Sequence, residues 1–286
     1  MKNTRKREIL NILVVNDDGI DAVGLRKLTE ALSDVGTIYV CAPHRQRSAT
    51  GHGITIGRVV CIDNYPFEGV EQAVSMEGTP ADCVKIGIEV YRDRGVEIDM
   101  VFSGFNHGMN LGTDTLYSGT VSAALEGALC GLPSAAVSIS SNESYHRTPV
   151  NFDYAMRLAK AIAKSPAFSA DERKITGVPG LDFIRKKHTI LSANIPDRPE
   201  SEILGVKVCP LSYRAYDEWF KATSDEDGRT GYHYSGAPLI IGEAEPEDSD
   251  IIANGLGYAT ITPLKFDLTD HELFSSVRSE WDGIQI

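Results

Sequence analysis

Strand-like and helix-like patterns alternate regularly from residue 11 to about residue 195. The apolar run NILVV (11–15) has the length and the β-branched content of a buried parallel strand. Residues 24–36 then place leucine and valine at helical spacing, and TIYVCAP (37–43) is a second buried strand. These three elements form a βαβ unit, for which a right-handed crossover is expected.

The same periodicities continue along the chain. Thr79 is a predicted N-cap because Pro80 follows it at the first helical position. Strand and helix alternation of this kind builds a parallel sheet with helices on both faces. We therefore predict an α/β fold with a doubly wound, mostly parallel sheet, which binds ligands beyond the carboxyl ends of its strands. The further predicted elements are helices over 79–93, 118–131 and 152–165 and strands over 98–104, 133–140 and 188–196.

The pattern changes after residue 196. The tail surrounds an acidic, glycine-containing segment with short apolar stretches, which is typical of strands and hairpins. No Pro/Ser-rich linker precedes it, so we predict one domain over 1–286, with a core over about 9–196 and an oligomerisation arm over about 197–286. Its aromatic residues either pack on the arm itself or anchor a neighbouring subunit, and we expect at least a dimer. These aromatic residues are Tyr213, Tyr216, Trp219, Phe220, Tyr232 and Tyr234.

Composition and charge argue against several classes of function. The net charge is −12 and the pI is about 5.1, which argues against binding to a nucleic acid polymer. No apolar stretch is long enough to span a membrane. The basic head MKNTRKREIL lacks the features of a secretory leader and is expected to be a disordered start. The five cysteines are scattered singly, four of them in apolar runs typical of buried thiols, which favours a reducing cytoplasm.

Asp17 and Asp18 stand between the first strand and the first helix. Adjacent carboxylates repel, and no obvious cationic partner lies in the next few residues, so a bound cation or hydrogen-bond donors must offset the cost. Carboxylates combined with hydroxyl and amide oxygens are hard ligands that suit Mg²⁺, Mn²⁺ or Ca²⁺. The alternative is structural, since either aspartate could cap the helix that begins near Asp21, and an Asp-Asp-Gly triplet also occurs in ordinary turns.

Other predicted strands also end in polar, glycine-rich loops. The segment YSGT (117–120) adds hydroxyls and free backbone N–H groups at a helix start, where a phosphate is stabilised. Alternatively, Ser118 or Thr120 is only the N-cap of that helix. A metal beside an anion site indicates phosphoryl chemistry. No P-loop is present, and Gly19 stands where a haloacid-dehalogenase-type phosphatase has its second aspartate.

Five blocks of the chain resemble the SurE family of metal-dependent survival-protein nucleotidases, in order and along nearly the whole length. They are ILVVNDDGIDAVGLRKL, APHRQRSATG, GTPADCVKIG, SGFNHGMNLGTDTLYSGTVSAALEG and GYATITPL. The resemblance implies a Rossmann-like core, one divalent ion per subunit (Mg²⁺ or Mn²⁺), and hydrolysis of nucleoside 5′- and 3′-monophosphates. It also implies acid phosphatase and exopolyphosphatase side activities in some members. It also implies homodimers or homotetramers with exchanged C-terminal elements.

The resemblance also assigns the residues of the site. The implied metal ligands are Asp17, Asp18, Ser48 and Asn106. The implied phosphate contacts are Asn110, Ser118, Gly119 and Thr120. Either aspartate could take a proton from an attacking water, and a covalent phospho-aspartyl route through Asp17 is the alternative.

This chain departs from the family pattern at two positions. Ala49 stands where a glycine is expected after Ser48, and His107 follows Asn106 at a position that is usually small or variable. Neither departure removes a ligand. Two rival functions are a non-catalytic, metal-dependent nucleotide sensor and a nucleotide-sugar transferase, and the second lacks an acceptor-site signature.

Overall fold

The computed structural model describes most of the chain. It covers residues 9–140, 151–165, 188–217, 220–234, 237–239 and 248–283. The basic head before residue 9 and Trp219 lie outside the described residues. None of the helices in the described ranges is both long enough and apolar enough to cross a membrane.

The described ranges contain strands and helices in alternation, followed by shorter strands. The strands are β1 Leu10–Val15, β2 Gly36–Pro43, β3 Ile62–Asn64, β4 Gln72–Met76, β5 Met100–His107, β6 Ser134–Ile139, β7 Thr189–Ile195, β8 Val206–Val208, β9 Ala215–Asp217, β10 Phe220–Ser224, β11 Thr230–Tyr234, β12 Ala237–Leu239 and β13 Ala259–Lys265. The α-helices are α1 Val23–Leu32, α2 Pro80–Asp93, α3 Gly119–Leu129, α4 Phe152–Lys164, α5 Asp250–Leu256 and α6 His271–Trp281.

Nine strands form one sheet in the order β3-β4-β2-β1-β5-β6-β7-β13-β8. The six strands from β4 to β7 in this order are parallel, and β3 and β13 run antiparallel to their neighbours β4 and β7. After β1 the chain adds β2 and then β4 on one side of β1. After β5, which lies on the other side of β1, it adds β6 and then β7 in the opposite direction. The predicted doubly wound, Rossmann-like sheet is confirmed, and its switch point lies between β1 and β5.

Helices cover both faces of the sheet. Ile12 and Val14 of β1 pack in a core cluster with α1 and α4, whereas Leu13 and Val15 pack in a second cluster with α2. Because β1 is covered on both sides, its sequence is a continuous apolar run without polar alternation. Thr79 is the N-cap of α2, as predicted, and forms a capping box with Asp82.

Several elements differ from the sequence expectations. Helix α1 ends at Leu32, because the chain turns there to bring Gly36 beside Leu10 in the parallel ladder. Strand β4 was not predicted, although it pairs with β2 in the main sheet. In the tail, β13 and β8 also join this sheet, and α5 and α6 are helices where only strands and hairpins were expected.

Three of the five cysteines are buried, one fewer than their apolar surroundings predicted. The buried thiols are Cys41, Cys83 and Cys209, whereas Cys61 and Cys130 are exposed. All five are free thiols.

Candidate metal and phosphate site

Asp17 and Asp18 follow the carboxyl end of β1, directly at the switch point of the sheet. The N-cap of α1 is Ala22, and within the described ranges no side-chain hydrogen bond caps this helix. The alternative interpretation, in which an aspartate of the pair serves as a helix cap, is therefore wrong. Instead, both carboxylates point into a group of backbone and side-chain donors from other loops.

Asp17 is the more buried of the two aspartates. Its Oδ1 accepts a hydrogen bond from the Thr120 hydroxyl at 2.6 Å, and its backbone carbonyl accepts one from the Arg47 N–H at 2.7 Å. Burial raises the pKa of the Asp17 carboxyl to about 6, with a further contribution from the charge of Asp18, although the Thr120 hydrogen bond opposes the shift. A buried anion with a raised pKa is a group that a cation would stabilise.

Asp18 lies beside Asp17 and has donors from two other loops. The His107 N–H donates to Oδ2 at 3.2 Å, and the Gln46 amide donates to Oδ1 at 3.3 Å. Burial raises the pKa of the Asp18 carboxyl, and the His107 hydrogen bond partly offsets this effect. Gln46 was not identified from the sequence, because it stands in a polar loop that gives no signal of its own.

The donor set fits a hard divalent cation. Within the described ranges, no lysine, arginine or histidine forms an ion pair with either carboxylate. Those ranges also hold no group of three or more His, Cys, Asp or Glu that could bind a metal, so the candidate site has two carboxylates and otherwise neutral oxygens. The neighbouring Asn16 is fully buried, and its Oδ1 has no hydrogen-bond partner among the described residues. Such oxygen-rich surroundings suit Mg²⁺ or Mn²⁺ better than zinc.

The N-terminus of α3 touches the acidic pair. A Cβ atom at Gly119 would lie 3.0 Å from Asp17 Cβ and 3.1 Å from Asp17 Oδ2, so glycine permits this approach. Ser118 is the N-cap, and its Oγ accepts the Val121 N–H at 3.0 Å. The capping alternative is thus observed for Ser118, while Thr120 uses its hydroxyl on Asp17. The first backbone N–H groups of the helix have no acceptor within the helix, and they form its electropositive end.

The loop that carries Ser48 is held against α2 and α3. His52 Nε2 lies 2.9 Å from Glu126 Oε2 on α3, and the Thr55 hydroxyl donates to Asp82 on α2 at 2.6 Å. The hydrogen bond from His52, together with Lys85, holds the pKa of the buried Glu126 below its usual range. Ser48 is exposed, and the described residues show no hydrogen bond from its hydroxyl to either aspartate. Its neighbour Arg47 is the residue that connects this loop to the pair, because the Arg47 N–H donates to the Asp17 carbonyl.

The departure at Ala49 has a structural consequence. Ala49 adopts φ +55°, a left-handed conformation that glycine tolerates better than alanine. The turn beside Ser48 is therefore made by an alanine in a conformation that favours glycine.

Asn106 stands at the end of β5, across the switch point from Asp17 and Asp18. Its Nδ2 donates to the Gly108 carbonyl at 2.8 Å, which leaves Oδ1 as the side-chain atom for a ligand. His107 is exposed, and its ring lies edge-on to Phe152 with 5.9 Å between the ring centroids. The departure at His107 thus places an imidazole ring against Phe152, on the residue whose backbone N–H donates to Asp18.

Asn110 is buried in a network of its own. Its N–H donates to Asn194 Oδ1 at 2.8 Å, and the Asn194 amide donates back to its carbonyl at 3.2 Å. The Asn110 side chain donates to the Ser138 hydroxyl at 2.8 Å. The structure shows no direct hydrogen bond from Asn110 to the acidic pair among the described residues. Asn194 was missed in the sequence, although it ends a predicted strand and the criterion of polar strand ends could have found it.

The fold and this site define a Rossmann-like α/β protein whose acidic pair faces a helix N-terminus. A family model described as "Survival protein SurE" matches residues 12–218. The chain therefore belongs to the SurE family, and the resemblance seen in the sequence is confirmed.

Individual relatives match over nearly their full length. The chain is 41% identical to a protein named 5′-nucleotidase SurE from Gloeobacter violaceus over 264 residues, which are 91% of each chain. It is 40% identical to a protein of the same name from Moorella thermoacetica over 281 residues, 95% of this chain and 98% of that protein. The crystal structure of the SurE protein from Aquifex aeolicus aligns with a TM-score of 0.73 and 34% identity, covering 95% of this chain and 100% of that chain.

Proposed function

We propose that the protein is a divalent-metal-dependent 5′-nucleotidase, which hydrolyses nucleoside 5′-monophosphates to nucleoside and phosphate. The observation that carries this proposal is the contact between Asp17 and the start of α3, which joins a cation-type site to an anion-type site. The names of the SurE relatives support the same activity.

The proposed ligands of one Mg²⁺ or Mn²⁺ ion are Asp17, Asp18, Ser48 and Asn106. When bound, a divalent ion supplies Lewis-acid activation of a phosphoryl oxygen and of a water molecule. Asp17 and Asp18 provide the negative charge that attracts the ion. Gln46 and the His107 N–H orient Asp18, and Thr120 orients Asp17.

The chain's own groups bind and orient the phosphate. The free N–H groups of Gly119 and Thr120 and the dipole of α3 favour the negative charge that spreads over the phosphoryl oxygens. Ser118 fixes the first turn of the helix, so that these amides keep one direction. Asn110 is the remaining proposed phosphate contact, and Asn194 holds its backbone on both sides. Arg45 and Arg47 lie in the Ser48 loop and add positive charge for phosphate attraction.

The direct test is phosphate release from nucleoside 5′-monophosphates with Mn²⁺ or Mg²⁺ and after treatment with a chelator. We expect release that requires the metal and returns when the metal is restored. The sensor alternative gives metal-dependent nucleotide binding without release, and that result would overturn the proposed activity. The same assay with the matching nucleoside 3′-monophosphates and with short polyphosphate tests whether this chain also hydrolyses those substrates.

We also propose that the protein is a homodimer or homotetramer, in a reducing compartment such as the cytoplasm. Strands β10 and β11 form a hairpin outside the main sheet, and its Phe220, Tyr232 and Tyr234 are exposed. Helix α6 buries none of its residues and exposes one apolar face. That face is formed by Leu273, Phe274, Val277 and Trp281. Exposed apolar surface on two elements of the arm supports contact between subunits.

Deletion of residues 222–236 is expected to weaken assembly more than it damages the α/β core. The hairpin contributes no strand to the nine-stranded sheet, so its loss leaves the main ladder intact. Light scattering measures assembly, and circular dichroism measures the core. A wild-type monomer, or a deletion that unfolds the core and leaves assembly intact, would contradict the proposal.

A further inference from the structure

The segment between Asn110 and Thr120 carries every proposed phosphate contact, and we call it the phosphate segment. It leaves β5, makes a 3-10 turn over Gly112–Leu116 and enters α3. Residues far along the chain hold it in place. Asn194 brackets Asn110, and the carboxylate of Asp250 accepts the Gly112 N–H at 2.8 Å.

The centre of the phosphate segment is bound to the arm by a cluster around Asp114. Arg214 Nη1 donates to Asp114 Oδ2 at 2.7 Å, and the Tyr216 hydroxyl lies 2.6 Å from both oxygens of the same carboxylate. The Thr113 hydroxyl donates to the Arg214 carbonyl at 2.9 Å. Two consecutive residues of the segment are thus fixed by Arg214, which precedes β9, and by Tyr216 within β9.

The cluster is only slightly exposed. The side chains of Arg214 and Asp114 are 19% and 17% exposed, so their attraction is screened less than that of a surface pair. Burial and the hydrogen bond to Asp114 raise the pKa of Tyr216, which keeps its hydroxyl a donor. Removing either donor would leave a partly buried carboxylate with an incomplete set of partners.

Asp114 is connected to both halves of the candidate site. Its carbonyl accepts the Tyr117 N–H at 3.0 Å, immediately before the cap of α3. The Tyr117 carbonyl in turn accepts the Gly51 N–H at 3.0 Å, and Gly51 lies in the loop that carries Ser48. Displacement of the 3-10 turn would therefore move the helix start and the Ser48 loop together, and small misplacements of this kind have large effects on binding and rate.

We propose that Arg214 and Tyr216 are positioning residues, which set the phosphate segment through Asp114 and so make the arm a part of the binding machinery. This inference rests on the proposed function. It assigns Arg214 and Tyr216 a role in phosphate affinity that is separate from any role of the β10–β11 hairpin in assembly.

The test compares Arg214→Met, Arg214→Lys and Tyr216→Phe with the control Tyr213→Phe. Tyr213 is in the same stretch, is 65% exposed and has no hydrogen bond to the phosphate segment among the described residues. For Arg214→Met we expect KM and the dissociation constant of inorganic phosphate to rise about tenfold, which is about 1.4 kcal/mol. Tyr216→Phe is expected to raise KM and the phosphate dissociation constant about threefold. Arg214→Lys is expected to raise them less than Arg214→Met does, because lysine keeps the charge but not the planar donor geometry. Calorimetric titration of phosphate with Mn²⁺ present gives a readout that does not require turnover.

A double variant shows whether Arg214 acts through Asp114. Because Asp114→Asn already removes the carboxylate that Arg214 binds, the double variant Asp114→Asn/Arg214→Met is expected to be little worse than Asp114→Asn alone. Fully additive losses would overturn the inference, as would wild-type phosphate affinity in Arg214→Met and Tyr216→Phe accompanied only by a lower melting temperature. These failures concern the variants, whereas the proposed nucleotidase activity fails only if the wild-type protein releases no phosphate.

Discussion

Asp17→Asn is expected to lower the turnover of a nucleoside 5′-monophosphate by about three orders of magnitude at saturating metal, because a bound metal's stabilisation of transition-state charge is worth several kcal/mol. The substitution removes one of the two carboxylate charges of the candidate site. Asp21→Asn is the matched control, since it makes the same change in the same loop at a side chain that is 74% exposed. Steady-state kinetics with increasing Mn²⁺ measures the effect. Wild-type turnover in Asp17→Asn would contradict the site assignment.

The same substitution is expected to stabilise the metal-free protein. The pKa of Asp17 is raised from 3.8 to about 6 in the folded state, so the unfolded chain ionises first as the pH rises. Stability is therefore lost between about pH 4 and pH 6, and the loss above that window is about 3 kcal/mol for a shift of about two units. Asp17→Asn removes this pH dependence and should raise the melting temperature at pH 7.5 without metal.

Metal is expected to reverse that order of stability. An ion that binds only the folded state raises the melting temperature of the wild-type protein, and this rise should be largely absent in Asp17→Asn. Thermal unfolding with and without millimolar Mn²⁺ checks both signs. A wild-type protein that metal does not stabilise would argue against a preformed site.

Gly24→Ala is expected to destabilise the fold by about 3 kcal/mol and to weaken metal binding, because overpacking a rigid contact costs energy in this range. A Cβ atom at Gly24 on α1 would overlap the carbonyl oxygen of Phe105 and lie 3.1 Å from its carbonyl carbon. Both atoms belong to backbone, which cannot move aside as a flexible side chain can. Phe105 directly precedes Asn106, so a displaced β5 would carry a proposed ligand away from the acidic pair.

Gly255→Ala provides the control for that prediction. Gly255 is also a helical glycine, but a Cβ atom there would meet nothing within 4 Å. This variant should be neutral or more stable by up to about 1 kcal/mol, since alanine is the better helix former. Urea unfolding and calorimetric titration with Mn²⁺ compare the two variants. Equal stability of Gly24→Ala and the wild-type protein would show that α1 does not need this close approach.

Local patterns in the sequence predicted the core well. The β1, α1 and β2 patterns describe one buried βαβ unit, and the Thr79-Pro80 start signal places α2 correctly. These predictions succeed because burial on both faces and helix capping depend on residues that are neighbours in sequence. Strand β4 was missed because it gains its place only by pairing with β2. Strand β13 likewise joins the sheet only through β7, which is distant in sequence.

The sequence by itself determined the kind of chemistry available. The acidic pair after β1 and the YSGT helix start predict a cation beside an anion, and the five blocks indicate the SurE family without any knowledge of contacts. The sequence did not decide whether Asp17 or Asp18 caps α1. It also did not decide whether the start of α3 lies close to the two aspartates in space. Those alternatives differ only in contacts between residues that are distant in the chain, and the periodicity and spacing of residues in the sequence do not specify such contacts.

Only the tertiary structure decided those contacts. It brings Thr120 to Asp17 across 103 positions of the chain and excludes either aspartate as the cap of α1. It also joins Asp114 to Arg214 and Tyr216, about 100 positions later in a tail that the sequence assigned to assembly. The physical reason is that hydrogen bonds and burial are set by proximity in space, and the order of strands in the sheet creates that proximity.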